Sequence, residues 1–151
     1  MILVANGTPV LVGRMMGERL DSPVDLGMTL ADGNRLFGPS KTWRGFLSAI
    51  LVTTLVGMIG GHSPDIGLAV GLMSMIGDLI SSFVKRRLSL NPSEMFTGMD
   101  QIPESLLPAL ALKTVLDLSW LDVVCVVGLF VLLNRLLSIA LFKLNIRSHP
   151  H

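Results

Sequence analysis

The sequence predicts an all-α protein, a polytopic integral membrane helix bundle with about five transmembrane helices and a polar pocket on the cytoplasmic side. Half of the 151 residues are hydrophobic and only 15% are charged, and the mean hydropathy is +0.65. The apolar residues form long runs, and the charges cluster between them. A soluble domain of this size needs more polar surface, so the bilayer is the expected solvent. We expect one domain over residues 1–151.

The apolar runs define the predicted spans. A helix needs about 20 mainly apolar residues to cross ~30 Å of hydrocarbon. The first run is shorter than that, so we expect a partial helix or an earlier start of the natural chain. The connections that follow the second and fourth runs are very short, which predicts antiparallel hairpins. The five candidate spans are residues 2–13, 43–61, 66–84, 102–118 and 120–142.

The cations predict the orientation of the bundle. Nearly all of them lie on one face, and only Lys113 lies near the other. The cations of the first face lie in the polar segments 14–42 and 85–101 or are Arg44, Arg135, Lys143 and Arg147. By the positive-inside rule the basic face is cytoplasmic, with the N-terminus outside. The net charge of +1 gives no overall basic bias, so we expect no nucleic-acid partner.

The third span carries an intramembrane acid, Asp78. A charge in hydrocarbon costs about 2.5 to 3.5 kcal/mol unless it meets water, a metal or a partner. A purely structural alternative is that Asp78 forms an ion pair with Lys85 that only orients the bundle, but we favour a functional role for Asp78. At 100° per residue, one narrow arc of this helix contains Gly67, Gly71, Ser74, Asp78, Ser82 and Lys85.

A basic triplet, Lys85-Arg86-Arg87, follows on the same helix. Such a triplet at a helix end is ordinarily an anchor for anionic headgroups. Here it begins on the face that carries Asp78 and lies next to further polar segments. We therefore expect it to take part in a site.

The residues before the second span resemble a phosphate cradle. Gly38-Pro39 stops any preceding structure, and Ser40 could cap the following helix. Exposed N–H groups at a helix N-terminus, joined by Lys41, Thr42 and Arg44, would suit phosphate oxygens. The alternative is a turn and an interfacial anchor with Trp43 in the aromatic belt. The segment is not a P-loop.

A second carboxylate, Asp100, precedes the fourth span together with Gln101. Asp100 and Asp78 could face one another across a pocket, and two carboxylates with phosphate oxygens would suit Mg²⁺. Asp100 could equally be a loop acid that caps the fourth helix. Asn6 and Pro9 are unusual in an apolar helix and could line the same pocket.

Four motifs resemble one known family: A-N-x-x-P in the first run, G-P-S-K-T-W-R-G before the second, G-D-L-x-x-S-F-x-K-R-R-L through the third, and D-Q before the fourth. Their order and spacing resemble the archaeal CDP-archaeol synthase family and, more distantly, phosphatidate cytidylyltransferases. The resemblance covers most of the chain.

The resemblance implies transfer of CMP from CTP to 2,3-di-O-geranylgeranylglycerol 1-phosphate with release of pyrophosphate. The implied partners are CTP, this isoprenoid ether-lipid phosphate and membrane lipids, and the implied cofactor is Mg²⁺. The location would be the cell membrane, with several crossings and the active site facing the cytoplasm.

The resemblance also implies roles for individual residues. Asp78 and Asp100 would bind Mg²⁺, and Lys85 and Arg86 would join them as catalytic residues. The implied substrate-binding residues are Asn6, Lys41, Thr42, Arg44, Ser82, Lys85, Arg86, Arg87 and Gln101.

Two other classes of protein remain as alternatives. A small transporter or channel would carry polar residues through the whole membrane depth, whereas here they cluster on one side. A non-catalytic helix bundle would keep its function when Asp78 is replaced by alanine. The one-sided clustering favours an enzyme at the membrane interface.

Overall fold

The computed structural model describes residues 1–17, 19–90 and 100–143, with the side chains of the last helix described through residue 139. These residues contain five helices and no strand, which confirms the predicted all-α fold. Residues 91–99 of the second polar segment lie outside the described residues. The helices are α1 (Ile2–Met16), α2 (Trp43–Ile59), α3 (Pro64–Arg87), α4 (Gln101–Ala111) and α5 (Trp120–Lys143).

Two helical segments are long and apolar enough to cross a membrane, Pro64–Arg87 and Trp120–Ile139. The helices α1 and α2 are also apolar, but they are shorter. Because an α-helix rises 1.5 Å per residue, the 24 residues of α3 reach about 36 Å, more than the hydrocarbon thickness of a typical bilayer.

The fourth predicted span is wrong in its extent. Helix α4 has 11 residues and rises only about 16 Å. Residues 112–117 form turns instead of continuing the helix. The Leu118 N–H donates to the Lys113 carbonyl at 2.8 Å, and Asp117 has a φ of 50°, so hydrogen bonds of a tight turn replace those of the helix. The sequence did not predict this turn because the segment is mostly apolar.

Small residues let α2 and α3 approach closely. A Cβ atom added at Gly67 would lie 2.7 Å from Thr54 Cα, and one at Gly71 would lie 2.9 Å from Ile50 Cα. A side chain at either position would therefore meet the backbone of α2. The small face predicted for the third span is confirmed by this contact.

A second close crossing brings α4 against the middle of α3. A Cβ atom at Gly77 would lie 2.3 Å from the Pro103 carbonyl oxygen and 2.7 Å from Glu104 Cα. Only glycine leaves room for this approach. The crossing holds the first turn of α4 beside Asp78, the residue that follows Gly77.

Candidate active site

Nine charged residues line one cavity of about 510 Å³. All five helices contribute to its lining, as does the loop that precedes α2. Every predicted site residue except Arg87 is among the lining residues. The predicted residues that line it are Asn6, Lys41, Thr42, Arg44, Asp78, Ser82, Lys85, Arg86, Asp100 and Gln101.

Lys41 and Asp78 form the central ion pair of the cavity. The Lys41 ammonium donates to both carboxylate oxygens of Asp78, at 2.6 Å each. The ion-pair partner of Asp78 is thus Lys41, and not Lys85 as in the purely structural alternative. Burial alone would lower the pKa of Lys41, but attraction to Asp78 and to the other cavity carboxylates raises it above its ordinary value. Lys41 therefore carries a positive charge.

Asp100 forms a second ion pair, with Lys85. Its other carboxylate oxygen, Oδ1, is buried and has no hydrogen-bond partner among the described residues. Asp100 holds the cap position of α4, but its side chain makes no capping hydrogen bond. The alternative in which Asp100 only caps the helix is therefore wrong, and one buried oxygen remains available to a ligand.

Thr42 and Arg44 organise the entry to α2. Thr42, and not Ser40, caps this helix: its side-chain oxygen accepts from the Gly45 N–H at 3.2 Å. The Arg44 guanidinium lies at the cavity lining, where it donates to the Gly17 carbonyl at 2.8 Å and to Asp21 at 2.8 Å. Arg44 therefore ties the end of α1 to the loop in addition to lining the cavity.

Ser82 and Gln101 are two of the predicted polar residues. The Ser82 hydroxyl donates to the Asp78 carbonyl at 2.8 Å, within α3. Gln101 lies in the first turn of α4 and is 8% exposed. Both residues line the cavity, as expected. The Ser82 hydroxyl already makes a hydrogen bond within α3.

Asp25 organises the loop and was missed by the sequence analysis. Its side chain is fully buried and pairs with Arg35 at 2.6 Å. It also accepts hydrogen bonds from the backbone N–H groups of Gly27, Phe37 and Gly38. Burial alone would raise the pKa of Asp25, but these hydrogen bonds outweigh it and lower the pKa to about 2.

The Asp25 network places Lys41. Gly38 lies three residues before Lys41, and the Val24 N–H donates to the Lys41 carbonyl at 2.7 Å. The loop is thus fixed on both sides of the lysine. An aspartate followed two residues later by glycine is typical of a turn, but no periodic pattern could connect Asp25 with Gly38.

Glu104 is a second residue that the sequence analysis missed. It is 4% exposed, and its two oxygens accept from the Asn6 amide at 2.9 and 2.7 Å. It lines the same cavity as Asp78. Since Glu104 is four residues after Asp100, the two lie on one helix face, and this spacing could have identified it.

Arg87 departs from its predicted role. Its guanidinium donates to Asp32 at 2.8 Å and to the Arg35 carbonyl at 2.7 Å, and it stacks over the Phe83 ring at 5.2 Å. Arg87 is not among the residues that line the cavity. The expectation that it binds substrate is therefore corrected: its donors connect the loop to the end of α3.

Helix α5 adds three polar residues to the lining that were not predicted as site residues: Asn134, Arg135 and Ser138. The sequence analysis used Arg135 only as a marker of orientation. Spacings of one and four residues place all three within about 100° of the helix circumference. This arc, in an otherwise apolar helix, was the available signal.

The carboxylate oxygens of the cavity are suitable ligands for a magnesium ion. Among the described residues, no group of three or more His, Cys, Asp or Glu side chains is placed to hold a metal. Mg²⁺, however, is usually held by one or two carboxylates together with substrate phosphates and water. Asp78 and Asp100 line the same cavity, and Asp100 has a buried oxygen without a partner in the described part of the chain.

The fold and the cavity define a helical protein of apolar exterior whose interior holds paired acids and bases. The model of the family described as CarS-like, CDP-archaeol synthase, matches residues 2–151. The chain belongs to this family, and the resemblance seen in its motifs is confirmed.

Two relatives illustrate the similarity. The chain is 43% identical to the CDP-archaeol synthase of Pyrococcus furiosus over 107 residues, which cover 64% of this chain and 60% of that protein. It is 34% identical to the CDP-archaeol synthase of Thermofilum pendens over 154 residues, which cover 97% of this chain and 75% of that protein. The chain thus spans about three fifths of the length of the Pyrococcus relatives it matches.

A solved structure shares the fold. It is an intramembrane enzyme for archaeal membrane lipids biosynthesis, with a TM-score of 0.67 and 32% sequence identity, covering 91% of this chain and 87% of that chain. Together with the two long apolar helices, this similarity identifies the chain as a membrane protein.

Proposed function

We propose that this chain is a Mg²⁺-dependent cytidylyltransferase that transfers CMP from CTP to 2,3-di-O-geranylgeranylglycerol 1-phosphate. The observation that carries the proposal is the single cavity in which Lys41–Asp78 and Lys85–Asp100 come together inside an apolar bundle. Its relatives' name, CDP-archaeol synthase, supports the same reaction.

The reaction requires two anions to meet. An oxygen of the lipid phosphate attacks the α-phosphorus of CTP, a new P–O bond forms, and the bond to the β-phosphate bridging oxygen breaks to release pyrophosphate. The lipid phosphate is already ionised near neutral pH, so no strong general base is needed. The chain's part is to hold the reactants in line and to offset their repulsion.

The cavity cations suit this task. Lys41 and Lys85 have about a fifth of their side-chain surface exposed, at 24% and 17%, so they can approach phosphate oxygens while they hold their carboxylates. The Arg86 guanidinium has a buried Nε without a hydrogen-bond partner in the described residues. These three side chains are the proposed binding groups for the triphosphate.

Asp78 and Asp100 are the proposed holders of Mg²⁺. The ion, when bound, supplies positive charge for phosphate oxygens. Lys41 and Lys85 hold the two carboxylates in position, because each donates to one of them. Glu104 holds Asn6 beside the same cavity.

The proposed topology is multi-pass, with the cavity at the cytoplasmic face. Four of the five cations of the cavity lie at the C-terminal end of α3 or at the N-terminal end of α2, which meet at one end of the bundle, and the fifth, Arg135, lies on α5. The positive-inside rule makes this end cytoplasmic. In this arrangement the lipid tails stay among the helices while the phosphate reaches the cavity.

A product assay tests the proposal. The purified chain is incubated in lipid–detergent micelles with α-labelled CTP, the geranylgeranylated glycerol phosphate and Mg²⁺. We expect a labelled CDP-lipid and unlabelled pyrophosphate, and no product when EDTA is present. An exposed acid at the other end of α3 offers a matched control, and Asp65→Asn should retain full activity. Absence of a lipid-linked CMP product from the wild-type chain would overturn the proposal.

A further inference from the structure

The cations of the cavity fall into two groups. Five cationic side chains line it. Three of these form ion pairs with carboxylates: Lys41 with Asp78, Arg44 with Asp21 and Lys85 with Asp100. The side chains of the other two, Arg86 and Arg135, form no hydrogen bond or ion pair with any described residue. Both guanidinium groups can therefore attract an anionic group that enters the cavity.

Arg86 and Arg135 occupy different walls of the cavity. The Arg86 side chain lies against the loop before α2, where its Cδ and Nε would each be 3.8 Å from a Cβ atom at Gly38. Arg135 belongs to α5, which the rest of the bundle covers less than it covers α3, the other long apolar helix. The two guanidinium groups therefore approach the cavity from different elements, the end of α3 and α5.

Arg135 lies where the cavity meets an exposed apolar surface. Its neighbours Leu132 and Leu136 are 56% and 54% exposed, and Arg135 is itself exposed. Asn134 and Ser138, on the same arc of α5, line the cavity. A molecule that covered the leucines with hydrocarbon would bring its polar end to Arg135.

The chemistry of this position selects a phosphate on a lipid. A charged side chain among lipid-facing leucines is costly unless it meets a partner or reaches the interface. The planar fork of a guanidinium donates two parallel hydrogen bonds to a phosphate group. A nucleotide offers phosphate groups but no hydrocarbon chains that would cover Leu132 and Leu136. A phosphomonoester with long apolar chains offers both.

We propose that Arg135 binds the phosphate of the acceptor lipid and holds it at the α5 wall, opposite the loop that receives the nucleotide. The inference rests on the proposed function, since it assigns one of the two substrates of that reaction to this residue. It makes Arg135 a substrate-binding residue that separates acceptor from donor.

Steady-state kinetics of Arg135→Gln, with each substrate varied in turn, test the assignment. Loss of a charge-assisted hydrogen bond to phosphate is expected to raise the KM for the lipid phosphate about 10- to 100-fold. The KM for CTP should change less than about twofold, since that change is near the scatter of additive effects at separate sites. Arg135→Lys should recover part of the loss. Lys113→Gln is the matched control, because Lys113 lies over the Trp120 ring at the other end of α5.

A binding measurement separates this inference from the proposed reaction. Retention of the lipid phosphate, and of the same lipid without its phosphate, is compared for wild type and Arg135→Gln in the absence of CTP. Weaker binding of only the phosphorylated lipid by the variant supports the assignment, even if wild type forms no product. The assignment is overturned if both chains bind the two lipids equally, or if Arg135→Gln raises the KM for CTP instead.

Discussion

Lys41 donates to both carboxylate oxygens of Asp78, 37 residues further along the chain. This ion pair joins the loop before α2 to the middle of α3. It also defines the cavity, because Asp100, Glu104 and Asn6 lie around it in the lining. The position of Lys41 depends on the Asp25 network, and that of Asp78 depends on the close crossing at Gly77.

The Lys41–Asp78 pair is predicted to behave as a unit. Lys41→Gln or Asp78→Asn leaves one partly buried charge without its partner, which should lower the free energy of unfolding by about 1 to 3 kcal/mol. The double variant removes both charges and should regain most of that stability but none of the activity. Thermal unfolding in detergent, followed by tryptophan fluorescence, measures the effect. Destabilisation of the double variant equal to the sum of the single losses would contradict this prediction.

Asp25 is predicted to make the loop sensitive to acid. Its pKa falls from an ordinary 3.8 to about 2 on folding, so its contribution is fully present above about pH 4 and is lost as the pH falls through 2. Asp25→Asn should lower the unfolding temperature at pH 6, and the gap from wild type should narrow below pH 4. Asp32→Asn, which breaks a more exposed pair with Arg87, is the milder comparison. A gap that stays constant with pH would show that the charge of Asp25 is not the cause.

Gly77 is predicted to tolerate no side chain. Gly77→Ala would place a methyl group against the Pro103 carbonyl, and overpacking of this kind costs about 1 to 3 kcal/mol or displaces a helix. Asp100 and Glu104 lie at the start of α4. The loss of CMP-transfer activity should therefore exceed the loss that the unfolded fraction alone would explain. Gly128→Ala is the matched control, since no atom lies within 4 Å of its added Cβ. Equal activity of the two variants would mean that the α3–α4 crossing does not position the site.

Asn6 and Glu104 are predicted to couple α1 to α4. A double-mutant cycle with Asn6→Ala and Glu104→Ala should give a coupling energy of about 1 kcal/mol, because the Asn6 amide donates to Glu104 in a buried setting. Asn6→Ala combined with Asp65→Asn has no contact to lose and should be additive. Additivity in the first cycle would show that the observed hydrogen bonds contribute nothing net.

Local patterns explain how much of the fold the sequence predicted. The apolar runs located α1, α2, α3 and α5, because a helix in an apolar environment needs little beyond length and composition. The small face of α3 followed from the 100° periodicity, and Gly67 and Gly71 indeed contact α2. The turn after α4 escaped because apolar residues such as Leu112 and Val115 continue through it.

Contacts between distant segments limited the prediction of the site. The candidate residues were right in location for all but Arg87, since polar groups in an apolar bundle gather where they can satisfy one another. Their partners were not predictable, because no periodicity within α3 indicates that Asp78 meets Lys41 and not Lys85. Asp25 was missed for the same reason, because it acquires its role only when distant segments pack beside it. Glu104 and Arg135 did have local signals, the four-residue spacing from Asp100 and the polar arc of α5, but the sequence analysis did not use them.

The most direct test of the cavity as a magnesium-dependent site is CMP transfer measured over a range of Mg²⁺ concentrations for Asp78→Asn, Asp100→Asn and the double variant. If both carboxylates hold one ion, each single change should lower kcat/KM by about 10³-fold or more, and the double variant should be little worse than either. Near wild-type transfer by either single variant at saturating Mg²⁺, with the Asp65→Asn control unchanged, would contradict the account.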